Sequence, residues 1–440
     1  MNSYSTYKAS GIEWLGDIPE HWQVNRIINV SKIANGSTPK SNVDEYWEGD
    51  ITWVTPGDIS KLNGYIFESE RMITQSGYDS CGTVMVSQNS TVITCRAPIG
   101  NTVIVGKELC TNQGCKSLIP LKIEYRYLYY FILNANEEIT SLGQGTTFLE
   151  LSRTSLGNTK ISFPNSLPEQ TAIANYLDEK TNKLDQLIKN KKAQIAQLKE
   201  LRQIEINTAV TKGLNPNVNL KPSGIEWLGD IPEHWELKRF RYCFKNSKGL
   251  SITKQDLLDK GIPCVSYGEI HSKFGFEVDP DKNSLSCVRE EYLETNASSL
   301  LVNGDFVFAD TSEDIEGAGN FTHLCSTKKV FAGYHTVISR LSINAYPKYV
   351  AYVLDSLAYR TQIRRKVQGV KVYSITNKIL KDTILWLPEP PEQTAIANYL
   401  DEKTTKLDQL INNKKAQIAQ LKEIRQIEIF NAVTGKIKVA

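Results

Sequence analysis

Glycine-rich loops are the first place where this chain of 440 residues could hold a nucleotide or a methyl donor. A phosphate-binding loop has four residues between its first glycine and a Gly-Lys pair, which Ser or Thr then follows. Residues 100–108 have five residues between the glycines and end in Glu, which favours a strand leaving a turn. Residues 314–319 faintly resemble the glycine loop that holds S-adenosylmethionine. No buried strand precedes them and no helix follows, so we interpret them as an ordinary loop.

Catalytic side chains do not group into a recognisable set. Residues 389–392 read Glu-Pro-Pro-Glu and lack the aromatic residue of the amino-methyltransferase signature. The acidic stretches at 178–180 and 401–403 fall on predicted helices, where a solvated face is the simpler interpretation. Cys110 and Cys115 have no second cysteine pair that would complete a zinc site. His21 and His234 belong to a repeated block and are expected to be structural, so we predict no catalytic residue and no metal site.

Two basic runs favour phosphate contact. Residues 237–255 and 356–381 carry six and seven Lys or Arg residues, respectively, and no acid. A single run of this kind usually forms a solvated face, whereas two in one domain indicate a polyanion partner.

The net charge of +2 narrows this interpretation. Residues 1–166 hold 13 basic and 16 acidic residues, and residues 223–389 hold 21 of each. Neither large segment is basic overall, so nucleic-acid binding must use local patches or be shared with a partner. We therefore expect the chain alone to bind DNA weakly.

The chain consists of two copies of one plan. Residues 10–22 return without change at 223–235, and residues 168–211 return at 391–434 with 39 of 44 positions identical. The segments between the repeated blocks diverge in sequence but keep a common order of motifs. Residues 54–59 correspond to residues 265–270, and residues 144–147 correspond to residues 368–371. A repeat unit as long as a whole domain indicates tandem duplication of that domain plus a helix, rather than a solenoid, whose repeat units are much shorter.

The near-identical segments are predicted to be long helices. Residues 169–211 contain no Gly or Pro, and apolar residues recur at spacings of 3, 4 and 7. Ser166 and Glu169 have the spacing of a capping box, and Gly213 is a stop signal. A helix of about 65 Å suits a coiled-coil spacer whose partner is the other copy.

The diverged segments are predicted to be mixed α/β. Short β-rich runs at 83–86, 91–95, 101–105, 306–309 and 329–332 alternate with Gly, Asn and Asp. Their topology stays open at this point.

Both repeated blocks, together with the motifs Gly36-Ser-Thr-Pro39, Tyr46-Trp47 and Gly145-Thr146-Thr147, closely resemble the specificity subunits of type I restriction–modification systems. The resemblance covers essentially the whole chain. It implies an α+β fold in which two target recognition domains are separated by two long α-helices that form an antiparallel coiled coil with pseudo-two-fold symmetry. The domains would be 1–166, the central helix and linker 167–222, the second domain 223–389 and the last helix 390–440.

The resemblance also implies the function and the partners. Each recognition domain would read one half of a bipartite, asymmetric double-stranded DNA target. The helices would dock two methyltransferase subunits, which bind S-adenosylmethionine for adenine-N6 methylation, and motor-nuclease subunits are optional further partners. This chain would hold no cofactor and act in the cytoplasm of a bacterium or archaeon.

The symmetry of DNA supports this arrangement. A duplicated reader matches the duplex best through a two-fold axis perpendicular to it, and two helices related by such an axis run antiparallel. Helix length would then set the unread spacer. Deleting four residues, about 6 Å, should shorten the tolerated gap by about two base pairs.

Base-edge readers are usually polar or basic residues on loops. For the first domain the candidates are Thr38, Lys40, Arg96, Gln144, Thr146 and Thr147. For the second they are Lys248, Ser251, Lys254, Ser312, Lys371 and Tyr373. A plain turn or surface role remains the alternative for each residue. Two other functions also remain open, namely a DNA-binding adaptor without a modification partner and a self-contained modification enzyme.

Overall fold

A computed structural model of the chain describes residues 3–144, 149–367 and 372–439. The chain forms two compact units, of which the first comprises Met1–Lys192 with Ala416–Ala440 and the second Ala193–Lys415. Both repeated helices therefore give one half to each unit. The domain boundaries predicted at residues 166, 222 and 389 follow the sequence blocks and stay predictions.

The first unit is made of short strands and helices. Its strands are β1 (Tyr7–Ala9), β2 (Asp17–Pro19), β3 (Trp22–Arg26), β4 (Ser31–Asn35), β5 (Trp47–Val54), β6 (Tyr65–Ile66), β7 (Met72–Ile73), β8 (Thr91–Thr94), β9 (Thr102–Val105), β10 (Cys110–Thr111), β11 (Cys115–Pro120) and β12 (Lys160–Pro164). Its helices are α1 (Ile27–Val30), α2 (Pro56–Ile59), α3 (Gln75–Asp79), α4 (Tyr125–Asn134), α5 (Asn136–Ser141) and α6 (Arg153–Asn158), and α7 (Leu167–Lys212) follows.

The second unit repeats this composition. Its strands are β13 (Leu220–Pro222), β14 (Asp230–Pro232), β15 (Glu236–Arg239), β16 (Phe244–Lys248), β17 (Ile262–Val265), β18 (Glu277–Val278), β19 (Ser286–Val288), β20 (Leu300–Leu301), β21 (Phe306–Ala309), β22 (Thr311–Ser312), β23 (Phe321–Leu324), β24 (Val330–Ala332), β25 (Thr336–Leu341), β26 (Tyr373–Ser374) and β27 (Ile384–Leu387). Its helices are α8 (Phe240–Cys243), α9 (Tyr267–Ser272), α10 (Tyr292–Thr295), α11 (Pro347–Asp355), α12 (Leu357–Arg364) and α13 (Asn377–Lys381), and α14 (Pro390–Val433) ends the repeat.

The two diverged segments share one sheet topology. The first unit has a five-stranded sheet in the order β4-β11-β8-β9-β6, and the second has one in the order β16-β25-β21-β23-β18. In each sheet the last pair is parallel and the other pairs are antiparallel. The prediction of a mixed α/β structure is confirmed. Residues 83–86 are an exception, because they form only an isolated bridge at Val86.

The halves of the long helices pair antiparallel within the first unit. The phenol of Tyr176 donates to Glu428 at 2.7 Å, and Arg425 Nε lies 3.2 Å from Asp185 Oδ1. As the residue number rises along α7, it falls along α14, which defines the antiparallel direction.

The second unit repeats this pairing with the helices exchanged. Tyr399 donates to Glu205 at 3.0 Å, and Arg202 Nε lies 3.2 Å from Asp408 Oδ1. These residues are the repeat equivalents of the four residues in the first unit, so the same contacts form twice with reciprocal partners. The predicted antiparallel pairing is confirmed within each unit.

The predicted apolar stripe of α7 is only partly buried. Leu177 and Ile188 are buried, whereas Leu201 and Ile204 are 43% and 54% exposed. The spacing of the stripe is helical, yet its last residues leave the pairing surface. Their exposure makes them available to a partner.

The C-terminal end of each long helix is buried in a core, that of α7 in the second unit and that of α14 in the first. Ile206 and Val210 of α7 are buried in one core with Trp235. Ile429 and Val433 of α14 are buried in the other core with Trp22. The predicted stop at Gly213 is confirmed, because its φ of +74° is a conformation that glycine tolerates best.

Repeated residues also attach the start of each helix to the rest of its unit. Glu169 Oε1 accepts from the Trp22 indole at 3.1 Å and from the Tyr4 phenol at 2.9 Å, and its Oε2 lies 3.0 Å from His21 Nε2. In the second unit, Glu392 has equivalent contacts with the repeated Trp and His. The carboxylate of Glu169 therefore holds the first repeated block to the helix and does not form the predicted capping box with Ser166. His21 is structural, as predicted.

Within the described residues, no helix combines the length and the hydropathy needed to cross a membrane.

Candidate nucleic-acid interface

The loop after β4 in the first unit is held against the neighbouring strands. A Cβ on Gly36 would lie 1.9 Å from Asn112 O, so only glycine permits this approach. The Trp53 indole donates to Ser37 O at 3.0 Å, and the Trp47 indole donates to Lys40 O at 3.3 Å. The motif residues 36–39 therefore lie in a loop that is held by the indoles of Trp53 and of the motif residue Trp47.

Two of the predicted readers of the first unit lie on this loop, and two others are joined through Glu150. Thr38 is half-buried, and its hydroxyl donates to the side-chain oxygen of Gln113. The backbone carbonyl of Gln113 accepts from the thiol of Cys95 at 3.4 Å. Lys40 is exposed two residues beyond Thr38. Arg96, next to Cys95, lies 3.2 Å from Glu150, and both side chains are nearly half exposed. Gln144 is exposed and its backbone pairs with Glu150.

The second unit places an equivalent loop after β16. A Cβ on Gly249 would lie 2.2 Å from Gly333 O, as crowded as the position of Gly36. Lys248 is exposed at the end of β16, and Ser251 and Lys254 are exposed along the loop that follows. Ser251 is the equivalent of Thr38 at the 213-residue offset, so both units present a hydroxyl at the same point of the fold.

The pairing of strands β22 and β26 in the second unit brings Ser312 and Tyr373 together. They are register partners in the pair β22–β26. Ser312 is 5% exposed and its hydroxyl donates to Asp314 O at 2.7 Å, whereas Tyr373 is half-buried. The arrangement favours Tyr373 as the more accessible of the two. Thr146, Thr147 and Lys371 lie outside the described residues.

The two acid-free runs do not form one free basic surface. Acids that lie outside the two runs pair with several of their members: Arg241 with Asp382, Arg360 with Asp355 at 2.9 Å, and Arg365 with Glu226 at 3.2 Å. Lys245 and Lys248 project as exposed residues from the edge strand β16. The sequence interpretation overstated the basic area, because a run without acids still meets acids in the fold.

A cavity lined in part by Ser312 was not anticipated from the sequence. It has a volume of about 590 Å³ and is lined by Tyr267, His271 and Asn320 among others. His271 Nε2 lies 2.8 Å from Thr311 O, and Asn320 Nδ2 lies 2.9 Å from His271 Nδ1. The loop at 314–319, whose Asp314, Glu316 and Gly317 line the cavity, was one signal in the sequence, and the corresponding segments at 54–59 and 265–270 were another. Each contains a capping box, at Thr55 and Ser266 respectively, and the second one begins α9, which lines this cavity.

Comparison with known proteins identifies similar sequences along nearly the whole chain. Residues 19–197 match the family model of the type I restriction modification DNA specificity domain. The MjaIX specificity subunit of a type I restriction enzyme from Methanocaldococcus jannaschii is 28% identical over 439 residues, covering 97% of this chain and 95% of that protein. The EcoKI specificity subunit from Escherichia coli is 21% identical, covering 96% of this chain and 90% of that protein.

A solved structure has a similar fold. One chain of a solved structure that concerns complex assembly and conformational transition of the type I R-M system aligns with this chain at a TM-score of 0.69 and 16% sequence identity. The alignment covers 96% of this chain and 99% of that chain. At 16% sequence identity, this similarity concerns the fold alone.

Proposed function

Because the chain belongs to the specificity subunits of type I restriction–modification systems, we propose that it reads a bipartite, asymmetric DNA target with one half-site for each unit. The observation that carries this proposal is the shared sheet topology of two segments whose sequences have diverged. Equivalent loops at Gly36 and Gly249 present different side chains on one scaffold. Different side chains at equivalent loops are suited to reading two different base sequences.

The helices supply two equivalent docking surfaces for identical methyltransferase subunits. In the first unit the paired helices expose Leu187, Ile424 and Ile427, among other apolar residues. The second unit exposes their repeat equivalents, namely Leu410, Leu201 and Ile204. Two copies of one partner require two copies of one surface, which explains why the helices are nearly identical while the recognition segments are not.

We assign methyl transfer and DNA cleavage to the partner subunits and propose that this chain is non-catalytic. Burial raises the pKa of two cysteine thiols, those of Cys110 and Cys264, to about 12. Thiols with so high a pKa are poor nucleophiles at neutral pH. Binding of S-adenosylmethionine and methyl transfer to adenine N6 would then belong to the methyltransferase subunits. Motor-nuclease subunits would add DNA cleavage.

Reconstitution with a cognate methyltransferase subunit tests this function. We expect a complex of one chain with two methyltransferase subunits that methylates DNA at two half-sites with a fixed gap. The chain alone should bind the same DNA weakly and transfer no methyl group from labelled S-adenosylmethionine. Methyl transfer by the chain alone would indicate a self-contained enzyme, and tight site-specific DNA binding without any methyltransferase would indicate a standalone adaptor.

The docking surfaces have their own test. Replacing Leu201 and Ile204 with serine should remove one methyltransferase from the complex, and the further replacement of Ile424 and Ile427 should remove the second. Leu121, which is 64% exposed outside the helices, provides the control substitution. A complex that keeps both partners after all four changes would contradict docking on these helices.

A further inference from the structure

Three metal-ligating side chains converge at one edge of the five-stranded sheet of the second unit. Glu277, His323 and Cys325 offer ligand atoms that all lie within 4.8 Å of one another. Cys325 Sγ is 3.0 Å from His323 Nε2 and 3.9 Å from Glu277 Oε2. Glu277 and His323 are register partners of the parallel strands β18 and β23, so the backbone fixes their proximity.

The imidazole of His323 is oriented for coordination. Its Nδ1 lies 2.9 Å from Phe276 O, which can only accept, so the proton sits on Nδ1 and the lone pair on Nε2 faces Cys325. A second hydrogen bond of this kind is the usual support of a metal-bound histidine. Burial lowers the pKa of His323, which keeps the ring in the neutral form that metals bind.

The separations fit a tetrahedral ion. Bonds of about 2.3 Å to sulfur and 2.0–2.2 Å to nitrogen or oxygen place two ligand atoms roughly 3.5 Å apart in a tetrahedron. The observed 3.0 and 3.9 Å lie on either side of this value, and the third separation, between the ligand atoms of Glu277 and His323, is within 4.8 Å. We propose that Cys325, His323 and Glu277 bind one zinc ion, with water as its fourth ligand.

The charges around the cluster allow the ion to enter. Lys348 Nζ now lies 2.5 Å from Glu277 and 3.4 Å from Asp401, so it keeps Asp401 as a partner when zinc takes Glu277. Burial raises the pKa of the Cys325 thiol to about 11, so the free thiol is protonated at neutral pH. Zinc binding therefore forms the sulfur–zinc bond and releases the thiol proton to solvent. His323 is neutral and Glu277, whose pKa is lowered, is already ionised, so neither loses a proton.

The ion would reinforce the second unit alone. It would join the two-residue edge strand β18 to β23 through side chains, in addition to the backbone pairing. In the first unit the equivalent edge pair has Tyr65 opposite Ile104, and Gly106 stands at the position of Cys325. None of these three side chains is a zinc ligand of the thiolate, imidazole or carboxylate class. The site is thus a property of one recognition segment and does not belong to the repeat.

Cobalt substitution of the full chain tests the proposal, because a cobalt–thiolate bond absorbs in the near ultraviolet. After treatment with a chelator, the wild type should take up one Co²⁺ with this absorption and lose it on addition of zinc. Cys325→Ser should lack the band, whereas Cys81→Ser, which changes the other partly exposed cysteine, should keep it. Glu277→Gln should weaken zinc binding by roughly tenfold or more in calorimetry.

Thermal unfolding provides the second measurement. Zinc should raise the melting temperature of the wild type and of Cys81→Ser but not of Cys325→Ser, since a ligand of the folded state stabilises it. Circular dichroism shows whether each variant is folded, and Glu277→Gln replaces Cys325→Ser if the latter is not. The absence of a cobalt–thiolate band in the wild type, or equal zinc affinity in Cys325→Ser and Cys81→Ser, would overturn the proposal.

Discussion

Tyr176 donates a hydrogen bond of 2.7 Å to Glu428, which joins the first copy of the repeated helix to the second. Tyr399 and Glu205 form the same contact at 3.0 Å with the copies exchanged. One sequence thus supplies both sides of its own pairing surface. This reciprocity constrains both helices to change together.

We expect Tyr176→Phe and Tyr399→Phe to destabilise the protein by similar amounts, on the order of 1 kcal/mol each, because each removes a hydrogen bond to a carboxylate. Denaturant unfolding measures the change. Tyr242→Phe is the control, since that side chain is 69% exposed. A large loss for one variant and none for the other would show that the two contacts are not equivalent.

Glu169→Ala and Glu392→Ala should each cost about 1–3 kcal/mol, because each leaves a buried tryptophan N–H without its acceptor. Trp22 and Trp235 are 1% and 0% exposed, so water cannot replace the lost partner freely. Thermal unfolding of both variants beside Glu137→Ala, which changes a first-turn acid of α5, tests this. Unfolding temperatures equal to that of the control would contradict the anchoring role.

Gly36→Ala should disturb recognition of one half-site and Gly249→Ala that of the other. Each added Cβ would meet backbone oxygen at 1.9 and 2.2 Å, respectively, so the loop must move. Gly57→Ala and Gly268→Ala are matched controls from equivalent positions, where the nearest atom is 3.6 Å away or beyond 4 Å. Methylation of DNA libraries randomised in each half-site gives the readout. Equal effects on both half-sites from either loop variant would contradict the assignment of one half-site to each unit.

Arg96→Ala should relax selectivity at one position of the first half-site, with a loss of about 1–3 kcal/mol if the side chain binds a guanine edge. The ion pair with Glu150 is nearly half exposed and costs little to break. Arg153→Ala, an exposed change in the same unit, is the control. Unchanged selectivity would remove Arg96 from the readers.

The helices were predictable to within a residue at their start and end, because a stretch without Gly or Pro and an apolar period of helical spacing leave few alternatives. Predicted as 168–211, the first helix spans Leu167–Lys212. The sheet order was not predictable, since β6 and β9 pair across a long separation that no local pattern records.

The candidate site was predictable only where local chemistry decides it. Thr38 and Ser251 were chosen separately and occupy equivalent loops. Ser312 was chosen as a loop hydroxyl, but the fold buries it against its own turn. The cluster at Glu277, His323 and Cys325 has no sequence spacing typical of a metal site, because parallel strands bring distant residues together.

The most direct test of the central claim changes the length of both helices. The tetrapeptide Lys-Lys-Ala-Gln occurs at 191–194 and again at 414–417, so its removal from both copies shortens α7 and α14 equally. Methylation by the complex is then measured on sites whose half-sites are separated by gaps of every length. Removing four residues from each helix, about 6 Å, should shorten the preferred gap by about two base pairs and leave both half-site sequences unchanged. An active complex whose preferred gap stays the same would contradict the role of the paired helices as the spacer between two DNA readers.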